Sequence, residues 1–466
     1  MSDLSHSLQG ILGQNGWLGP EASMPWQRDW LDRYGEAPLG VARPKSTAEV
    51  REVLRLCYAE GIPVVPQGGN TGLVGGGVLG MPGGVIVALG RMNKISAPEL
   101  ESELIEVQAG VVLEHLHESV EGTGLMFPMH LGSEGSAQIG GLIASNAGGS
   151  HAFRYGMMQD LVLGLEVVLA DGSVWNGMRS VQKDNTGYQL RKLFCGSEGT
   201  LGIVTKAILK LSPKPKQHLT ALLAIKDVAG LLSLKSRLKE ECGEFIEAIE
   251  FFSDTGLDIL LSSIPDIHFP LESRSSFYLI VEVGSCSLQV PLEAMLFDAM
   301  EWGMSEGVVE DGALATSNAQ RASFWRLREE QPEGQRRLGP QLKQDLSVPP
   351  GKLAEFLERA DDECEKLLNG IRINAFGHLG DGNVHYNLSP PLGQSGFSGL
   401  EKEFAFTLGG LVTDMGGSFA AEHGIGRVKN GMADSLRSRV ERNLMVRLKR
   451  SLDETNQLNP GVLISP

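Results

Sequence analysis

Cysteine is scarce in this sequence, and basic residues do not outnumber acidic ones. The five cysteines among 466 residues are widely spaced and form no CxxC pair, which indicates reduced thiols in a reducing compartment. The formal net charge of -16 lacks the basic excess that nucleic-acid binding requires, so nucleic acid is not an expected partner. A few buried Arg and Lys side chains can still make a cleft attractive to an anionic substrate.

Signals for export or membrane insertion are also missing. The first ten residues, MSDLSHSLQG, lack the basic-then-apolar order of a signal peptide. The longest charge-free stretch, residues 65–90, is broken by glycines, two prolines and Asn70, which would leave backbone groups unpaired in lipid. We therefore expect a cytoplasmic protein without a transmembrane segment.

Two common nucleotide motifs are absent or lack their structural context. The phosphate loop GxxxxGK(S/T) does not occur, which argues against nucleotide hydrolysis. Gly75, Gly77 and Gly80 form a GxGxxG pattern, but Met-Pro-Gly-Gly follows at residues 81–84, where a dinucleotide-binding fold would begin a helix. No acidic residue is placed to hold a ribose, so tightly bound NAD is not expected.

The length of the chain exceeds what a single hydrophobic core supports, so more than one domain is expected. Between residues 106 and 205 short strands alternate with glycine-rich turns, residues 211–217 (LSPKPKQ) have a linker composition, and the spacing is helical from about residue 400. The predicted fold class is α+β. The predicted domains are 1–212, with a core of about 38–212, then 213–420, and a C-terminal segment 421–466.

Local patterns around the first glycine run predict individual elements. A stripe of apolar residues predicts a helix over 47–60, capped by the Ser-Thr pair at its start. Residues 62–66 and 85–89 are rich in Val and Ile and are predicted strands on either side of the glycine run. A further helix is predicted around residues 26–34.

Three glycine-rich loops offer the chemistry of an anion site. They occupy residues 66–72 (PQGGNTG), 130–149 (HLGSEGSAQIGGLIASNAGG) and 196–202 (GSEGTLG). Glycines allow successive backbone N–H groups to point inward without side-chain obstruction, which suits a pyrophosphate. Each loop alone is more often a tight turn, but three in one domain favour a bound nucleotide.

These loops, with RYG (154–156) and KDNTGY (183–188), resemble in order and spacing the FAD-binding domain of the vanillyl-alcohol-oxidase superfamily. The motifs GHLGDGNVHYN (377–387) and AEHGIG (421–426) extend the resemblance over nearly the whole chain, toward the branch of D-2-hydroxyglutarate dehydrogenase, D-lactate dehydrogenase and the glycolate oxidase flavin subunit. It implies a two-subdomain FAD-binding domain of the p-cresol methylhydroxylase (PCMH) type, an α+β substrate-binding cap, and a C-terminal helical segment that packs back on the FAD domain.

The resemblance also implies how FAD is held. Members with covalent flavin carry a histidine in the first glycine loop, whereas this chain has Asn70 there, so non-covalent FAD is expected. The residues implied to contact FAD are Pro66, Gly68, Gly69, Asn70, Thr71, Gly72, Gly132, Ser136, Gly140, Gly141, Ser145, Asn146, Gly149, Gly196, Glu198, Gly199, Gly202, Ile203 and Asn459.

His378, His385 and Glu422 form a donor set suited to a divalent ion such as zinc, with manganese as the alternative. Residues seven apart on a helix lie about 10.5 Å apart along its axis, too far to share an ion easily, so a folded extended segment is expected between the histidines. Two histidines in a glycine-rich loop bind backbone about as often as metal. The resemblance favours metal ligands.

Oxidation of a 2-hydroxy acid needs a base for the hydroxyl proton and an acceptor for the hydride. Flavin N5 is the expected acceptor, and His423 is the expected base because imidazole titrates near neutral pH. The resemblance implies substrate contacts from Arg328, which can clamp a carboxylate, from Lys343 as a point charge, and from Asn387.

Several functional readings remain open from the sequence. D-2-hydroxyglutarate and D-lactate are the leading substrates, and the resemblance implies an electron acceptor such as electron-transfer flavoprotein or a quinone. The alternatives are the flavin subunit of a multi-subunit glycolate oxidase and a non-redox metal protein. The oligomeric state is open, with a homodimer among the options.

Overall fold

In the computed structural model, which describes residues 3–465, the chain forms two units that each combine helices with sheets. The glycine-loop unit comprises the chain up to Gly149, Tyr155–Lys214 and the chain from Glu422 onward. The large-sheet unit comprises Ser150–Arg154 and Pro215–Ala421. The chain passes from the glycine-loop unit to the large-sheet unit after Lys214 and returns after Ala421. These two positions are close to the predicted boundaries at 212 and 420. No helix of the described residues is long and apolar enough to cross a bilayer.

The chain up to Lys214 begins with small elements that alternate along the sequence. Its helices are α1 Asp3–Leu12, α2 Met24–Gln27, α3 Thr47–Ala59, α4 Leu113–Val120, α5 Ile139–Ser145, α6 Ala152–Tyr155, α7 Met158–Leu161 and α8 Leu190–Phe194. Its strands are β1 Trp17–Leu18, β2 Gly40–Ala42, β3 Val64–Gln67, β4 Val85–Ala88, β5 Leu104–Gln108, β6 Leu125–Met126, β7 Val162–Val168, β8 Val174–Gly177, β9 Ile203–Lys210 and β10 Ser212–Pro213.

Two four-stranded sheets organise the glycine-loop unit. The first has the order β1-β2-β4-β3, in which β4 runs parallel to both β2 and β3. The second is antiparallel with the order β5-β9-β7-β8. The predicted strands around the first glycine run are β3 and β4, and the long connection between them places that run at the end of β3. The predicted helix over 47–60 is α3, capped by the Ser46 hydroxyl.

The predicted helix over 26–34 is wrong beyond its first residues, because α2 ends at Gln27. The Asp29 carboxylate accepts hydrogen bonds from the backbone N–H groups of Arg33 and Tyr34, at 2.7 and 2.8 Å. Such local side-chain-to-backbone bonds compete with the helical hydrogen-bond ladder. The apolar spacing of this segment therefore does not produce a helix.

The large-sheet unit alternates strands and helices of greater length. Its strands are β11 Gln217–Ile225, β12 Ile246–Ser253, β13 Phe277–Ser285, β14 Val309–Leu314, β15 Asp345–Ser347, β16 Arg372–His378 and β17 Asn383–Ser389. Its helices are α9 Val228–Cys242, α10 Asp254–Ser263, α11 Leu292–Ser305, α12 Asn318–Glu329, α13 Gln331–Arg337, α14 Leu353–Leu367 and α15 Glu401–Asp414. The chain then returns to the glycine-loop unit with α16 Asn430–Leu436 and α17 Arg439–Leu452.

The seven strands form one antiparallel sheet in the order β14-β11-β13-β12-β16-β17-β15. Helix α12 packs on one face of this sheet through side chains at spacings of four and three residues, which share one side of a helix. Arg321 and Trp325 both bind the carboxylate of Glu282 on β13, and Arg328 binds Glu250 on β12. The helix therefore covers a sheet face that carries two buried carboxylates, Glu282 and Glu250, and supplies their hydrogen-bond donors.

The described residues combine helices and sheets, as the predicted α+β class requires. Within the glycine-loop unit, the C-terminal segment joins the first sheet: Val64 of β3 donates to the carbonyl of Gln457, and Asn459 donates to the carbonyl of Val64, at 2.8 and 2.7 Å. The Lys449 ammonium of α17 is buried and donates to the backbone carbonyls of Thr200 and Leu458, both at 2.7 Å. This segment is thus an integral part of the glycine-loop unit.

Candidate active site

The three glycine loops surround one cleft within the glycine-loop unit. The predicted FAD contacts that line it are Pro66, Gly68, Gly69, Asn70, Thr71, Gly72, Gly140, Gly141, Ser145, Glu198, Gly199, Gly202 and Ile203. Those outside its lining are Gly132, Ser136, Asn146, Gly149, Gly196 and Asn459. Gly75 and Gly77, which fit no dinucleotide fold, line the same cleft.

The loops pack so closely that two positions require glycine. A Cβ atom on Gly69 would lie 1.9 Å from the carbonyl oxygen of Ser136, a backbone atom of the second loop. Gly199 of the third loop has a φ of +70°, and a Cβ there would lie 2.4 Å from Cγ of Pro66. The glycine runs therefore bring the loops together as well as exposing backbone to a ligand.

The cleft has features that fit a bound dinucleotide. Asp29 and Gln138 line it, and each has a buried side-chain oxygen, Oδ2 and Oε1 respectively, without a hydrogen-bond partner among the described residues. Buried acceptors without partners are costly, so a ligand that donates to them is expected. A Cβ on Gly141, which also lines the cleft, would meet no atom within 4 Å, which leaves space beside the loop backbone.

Sequence reasoning missed Asp29 and Gln138. Gln138 stands inside the second glycine run, where an amide among glycines was a usable signal. Asp29 is far from any glycine motif and reaches the cleft only because the chain before β2 folds against the first loop, and no local pattern indicates this.

Asn70 occupies the position at which covalent members of the superfamily carry histidine. Its φ of 54° lies in the left-handed region that Asn tolerates better than most residues. Its side-chain amide donates a 2.7 Å hydrogen bond to the carbonyl of Arg28, which anchors the first loop. The side chain therefore has a structural role, and an amide is not the nucleophile that an imidazole is.

His423, the predicted base, lines the same cleft. Its neighbours explain the AEHGIG motif. A Cβ on Gly424 would lie 2.6 Å from Oε1 of Glu198, and a Cβ on Gly426 would lie 2.1 Å from the carbonyl of Val74; both glycines have positive φ. The segment that carries His423 can approach the loops only because these two residues lack side chains.

Glu198 holds that segment in place. Its carboxylate accepts hydrogen bonds from the backbone N–H groups of Ile425 and Gly426, at 2.9 and 2.8 Å. Burial raises the pKa of Glu198 to about 7, although the two N–H groups and Lys429 act in the opposite direction. Glu198 was predicted to contact FAD, and it lines the cleft while it also positions the histidine segment.

Asn459, another predicted FAD contact, is buried behind the loops. Its amide donates 2.8 Å hydrogen bonds to the carbonyls of Gly76 and Glu198, and its oxygen accepts one from Arg427 at 3.0 Å. It joins the first and third glycine-rich segments through their backbones. Its contacts are those of a residue that positions the cleft wall.

In the large-sheet unit, His378 and His385 lie on neighbouring strands of a hairpin. His378 ends β16, His385 lies within β17, and the residue opposite His385 is Phe376. Because Phe376 and His378 are two apart on one strand, both histidines face the same side of the sheet. Their ring centroids are 5.8 Å apart. The expected folded extended segment is thus an antiparallel hairpin.

Glu250 of β12 connects the predicted metal and substrate residues. Its Oε1 is 2.5 Å from Nδ1 of His378, and its Oε2 accepts a 2.9 Å hydrogen bond from Nε of Arg328. The Arg328 guanidinium also lies over the ring of Phe376, at 4.8 Å from the centroid. Glu250 was not predicted, because it is 128 residues from His378 in sequence and reaches it only through the pairing of β12 with β16.

The remaining predicted residues have different surroundings. Asn387 is buried on β17, on the same face as His385, and pairs across the sheet with Asn374. Lys343 is half-buried, two residues before β15, and Asp345 Oδ1 on that strand lies 4.0 Å from Nδ1 of His385. Glu422 is half-buried and begins the C-terminal part of the glycine-loop unit, directly after Ala421.

Among the described residues no helix directly follows the GxGxxG run, and the cleft combines glycine loops, unpartnered acceptors and an adjacent histidine, which fits a flavin-binding oxidoreductase. Comparison with protein families agrees: residues 38–177 match the FAD binding domain, and residues 214–463 match the C-terminal domain of FAD linked oxidases. The chain belongs to the family of FAD-linked oxidases. The predicted membership of an FAD-linked family and the FAD cofactor are thereby confirmed.

Three similar proteins with curated names are all named for reactions of D-2-hydroxyglutarate. A mitochondrial D-2-hydroxyglutarate dehydrogenase of Arabidopsis thaliana is 37% identical over 435 residues, which cover 93% of this chain and 76% of that protein. A D-2-hydroxyglutarate dehydrogenase of Xanthomonas citri pv. viticola is 36% identical over 438 residues, covering 94% and 91%. A D-2-hydroxyglutarate–pyruvate transhydrogenase of Saccharomyces cerevisiae is 31% identical over 455 residues, covering 95% and 89%.

Solved structures support the fold alone. An alkyldihydroxyacetonephosphate synthase superposes with a TM-score of 0.74 at 16% identity, covering 99% of this chain and 84% of that chain. A p-cresol methylhydroxylase with substrate bound superposes with a TM-score of 0.71 at 18% identity, covering 98% and 95%. The predicted PCMH-type fold is confirmed.

Proposed function

We propose that this protein is a D-2-hydroxy acid dehydrogenase that holds FAD non-covalently and a divalent metal, zinc or manganese, at His378, His385 and Glu422. The observation that supports it most is that His423 lines the same cleft as the glycine loops. Oxidation of an alcohol carbon needs a proton acceptor close to the hydride acceptor. The cleft supplies a base at the place where the family binds its flavin.

The histidine pair has the chemistry of a metal site. Two imidazoles that share one zinc ion at Zn–N distances of about 2 Å bring their rings to about 5–6 Å, close to the separation of His378 and His385. Metal-bound histidines usually donate the N–H of their other ring nitrogen to a carboxylate, a backbone carbonyl or water. Glu250 is such a carboxylate, at Nδ1 of His378. Nε2 is then the ligand atom. Glu422 is proposed as the third ligand from the family resemblance.

The roles of the chain's own residues follow from their chemistry. His423 accepts the hydroxyl proton at an imidazole nitrogen. Arg328 uses Nε for Glu250, and its other guanidinium N–H groups are the donors proposed for the substrate carboxylate, with a point charge from Lys343 and a hydrogen bond from Asn387. Bound FAD supplies the two-electron acceptor, and a bound divalent ion lowers the pKa of the substrate hydroxyl.

D-2-hydroxyglutarate is the leading substrate, because the curated relatives act on it by name. The resemblance to D-2-hydroxyglutarate dehydrogenases implies a threonine four residues after the arginine that matches Arg328. This chain has Pro332 there, which lacks a hydroxyl and an N–H group. Arg336 and Arg337 could replace the lost bond, yet both are exposed and bind Glu333. We propose a weaker preference for the five-carbon dicarboxylate, with D-lactate as the competing substrate.

A panel of D- and L-2-hydroxy acids, added anaerobically and scored by bleaching of the flavin, tests the proposal. The D-enantiomers are expected to bleach the flavin, and the L-enantiomers are not. Bleaching by L-acids only, or by glycolate only and with partner subunits present, would overturn it in favour of another family activity.

Acid precipitation tests how the flavin is held. It should release the flavin into the supernatant; a yellow precipitate would contradict non-covalent binding.

The electron acceptor, the homodimer and the cytoplasmic location stay predictions. An electron-transfer flavoprotein or a quinone is the proposed acceptor. Reoxidation of the substrate-reduced enzyme by each candidate in stopped flow distinguishes them. The glycolate oxidase alternative is not favoured, because similar curated relatives, at 35–37% identity, are named D-2-hydroxyglutarate dehydrogenases.

A further inference from the structure

A second cluster of metal-ligating side chains lies in the glycine-loop unit. His117 from α4, His130 and Glu134 each place one ligand atom within 4.8 Å of the other two. Glu134 Oε2 lies 3.2 Å from Nδ1 of His117, and Oε1 lies 3.0 Å from Nδ1 of His130. The two imidazole rings are 4.8 Å apart between centroids. The cluster has the same donor types as the proposed catalytic metal set and shares no residue with it.

We propose that His117, His130 and Glu134 bind a second divalent metal ion of the zinc type. Ligand atoms about 2.0–2.2 Å from a tetrahedral zinc ion are about 3.3–3.5 Å from each other. The histidine-to-carboxylate distances of 3.2 and 3.0 Å, made to the two different oxygens of Glu134, are within a few tenths of an ångström of that range, and one ligand atom from each of the three residues lies within 4.8 Å of the other two. Two imidazoles and a carboxylate suit zinc and related ions better than calcium or magnesium, which prefer oxygen ligands.

The cluster is built and accessible. The turn from Leu131 to Glu134 is closed by a backbone hydrogen bond of 3.2 Å, and the Glu134 carboxylate also accepts from the Leu131 N–H. The side chains of His117, His130 and Glu134 are 21%, 43% and 31% exposed, so an ion and a completing water can enter from solvent. His117 faces Glu134 with Nδ1, and its other ring nitrogen, Nε2, is buried without a hydrogen-bond partner among the described residues.

Charge distinguishes this cluster from another one of similar composition. In the large-sheet unit, His218, Glu247 and Glu282 also lie within 4.8 Å of one another. There Arg154 pairs with Glu247 and Arg321 pairs bidentately with Glu282. Two guanidinium groups already neutralise those carboxylates and repel a cation. Glu134 instead pairs with two histidines. A histidine, unlike an arginine, is a metal ligand when it is neutral.

The position of the cluster gives the ion a structural consequence. Glu134 is in the second glycine loop, and the carbonyl of His130 is so close to Gly149, at the far end of that loop, that a Cβ there would lie 2.2 Å away. His117 belongs to α4, whose residue Glu114 donates a backbone hydrogen bond to the carbonyl of Glu134 at 3.2 Å. A bound ion would therefore fix α4 to the start of a loop that lines the FAD cleft, next to the backbone at which Gly149 packs.

The zinc content of the full-length holoenzyme tests the proposal. Protein stripped with a chelator is dialysed against zinc, and zinc per chain is measured by elemental analysis. The wild type is expected to hold two ions, and His117→Gln and Glu134→Gln one each; Glu134→Gln keeps the size and hydrogen bonding of the side chain. His115→Gln, on the exposed side of the same helix, is the matched control and should hold two. Flavin content reports on folding.

Variants of the other site separate the two proposals. His378→Gln should hold one ion, and His117→Gln combined with His378→Gln should hold none. If only the catalytic metal is absent, the wild type and His378→Gln hold one ion and His117→Gln holds none, which still supports the second site. Zinc content equal to wild type in both His117→Gln and Glu134→Gln would overturn it.

Discussion

Glu198 accepts a 2.8 Å hydrogen bond from the backbone N–H of Gly426, and this contact holds the segment of His423 against the third glycine loop. The same carboxylate binds the N–H of Ile425. The side chain that accepts both bonds is also predicted, from the family resemblance, to contact FAD. The third glycine loop therefore lines the cleft and also positions His423, the proposed base.

Removal of the Glu198 carboxylate should lower activity more than flavin binding. Glu198→Ala leaves two N–H groups without their acceptor, at a cost of about 1–3 kcal/mol for each group left buried. We expect slower flavin reduction because His423 is no longer held, while most of the FAD remains bound. Glu198→Gln keeps one acceptor oxygen and should be intermediate. Equal rates of flavin reduction in all three proteins would contradict this role.

The stability of flavin-depleted protein should depend on the ionisation of Glu198. Burial raises its folded pKa to about 7 from an ordinary value of 4.5, so its contribution is fully present below about pH 4.5 and is lost as the pH rises through about 7. The free energy of unfolding, relative to that of Glu198→Gln, should fall by on the order of 3 kcal/mol between these pH values. Urea unfolding at several pH values measures it; parallel pH profiles for the two proteins would refute it.

Part of the site could be predicted from the sequence and part could not. Local patterns predict the glycine loops, the helix after Ser46 and the folded extended segment between His378 and His385. Each of these depends on residues close in sequence. Glu250 and Asp29 depend on the pairing of distant segments, which local spacing does not encode. The failure of the predicted helix over 26–34 has a local cause, since Asp29 binds the backbone that the helix would have used.

Glu250 should tune the metal site without binding the ion. Glu250→Gln weakens the hydrogen-bond partner of His378, a proposed metal ligand, and loss of a carboxylate that holds a metal-bound histidine typically costs about 10–100-fold in metal affinity. Glu282→Gln is the matched control, because Glu282 is also buried and bound to an arginine of α12. Zinc titrations are made in a His117→Gln background, which removes the second proposed zinc site, so that they measure only the affinity of the site at His378 and His385. Similar affinities in both variants would exclude the positioning role.

Pro332 should set the balance between substrates. Pro332→Thr restores a hydroxyl near the proposed distal carboxylate, and a hydrogen bond to a charged group contributes about 1.5–3 kcal/mol, or about 10–150-fold in kcat/KM for D-2-hydroxyglutarate relative to D-lactate. Pro291→Thr, at the start of another helix of the large-sheet unit, controls for loss of a proline. A wild-type preference above about 10³-fold for D-2-hydroxyglutarate would show that Pro332 does not weaken recognition.

The rate of flavin reduction in a single anaerobic turnover tests most directly whether this protein oxidises a D-2-hydroxy acid with His423 as the base. Wild-type holoenzyme and His423→Ala are mixed with D-2-hydroxyglutarate that carries hydrogen or deuterium at C2. The wild-type flavin should bleach, more slowly with deuterium because the C2–H bond breaks, and His423→Ala should be about 10²–10⁴-fold slower. A wild-type flavin that stays oxidised with every D-2-hydroxy acid, or a His423→Ala enzyme that bleaches at the wild-type rate, would contradict the account.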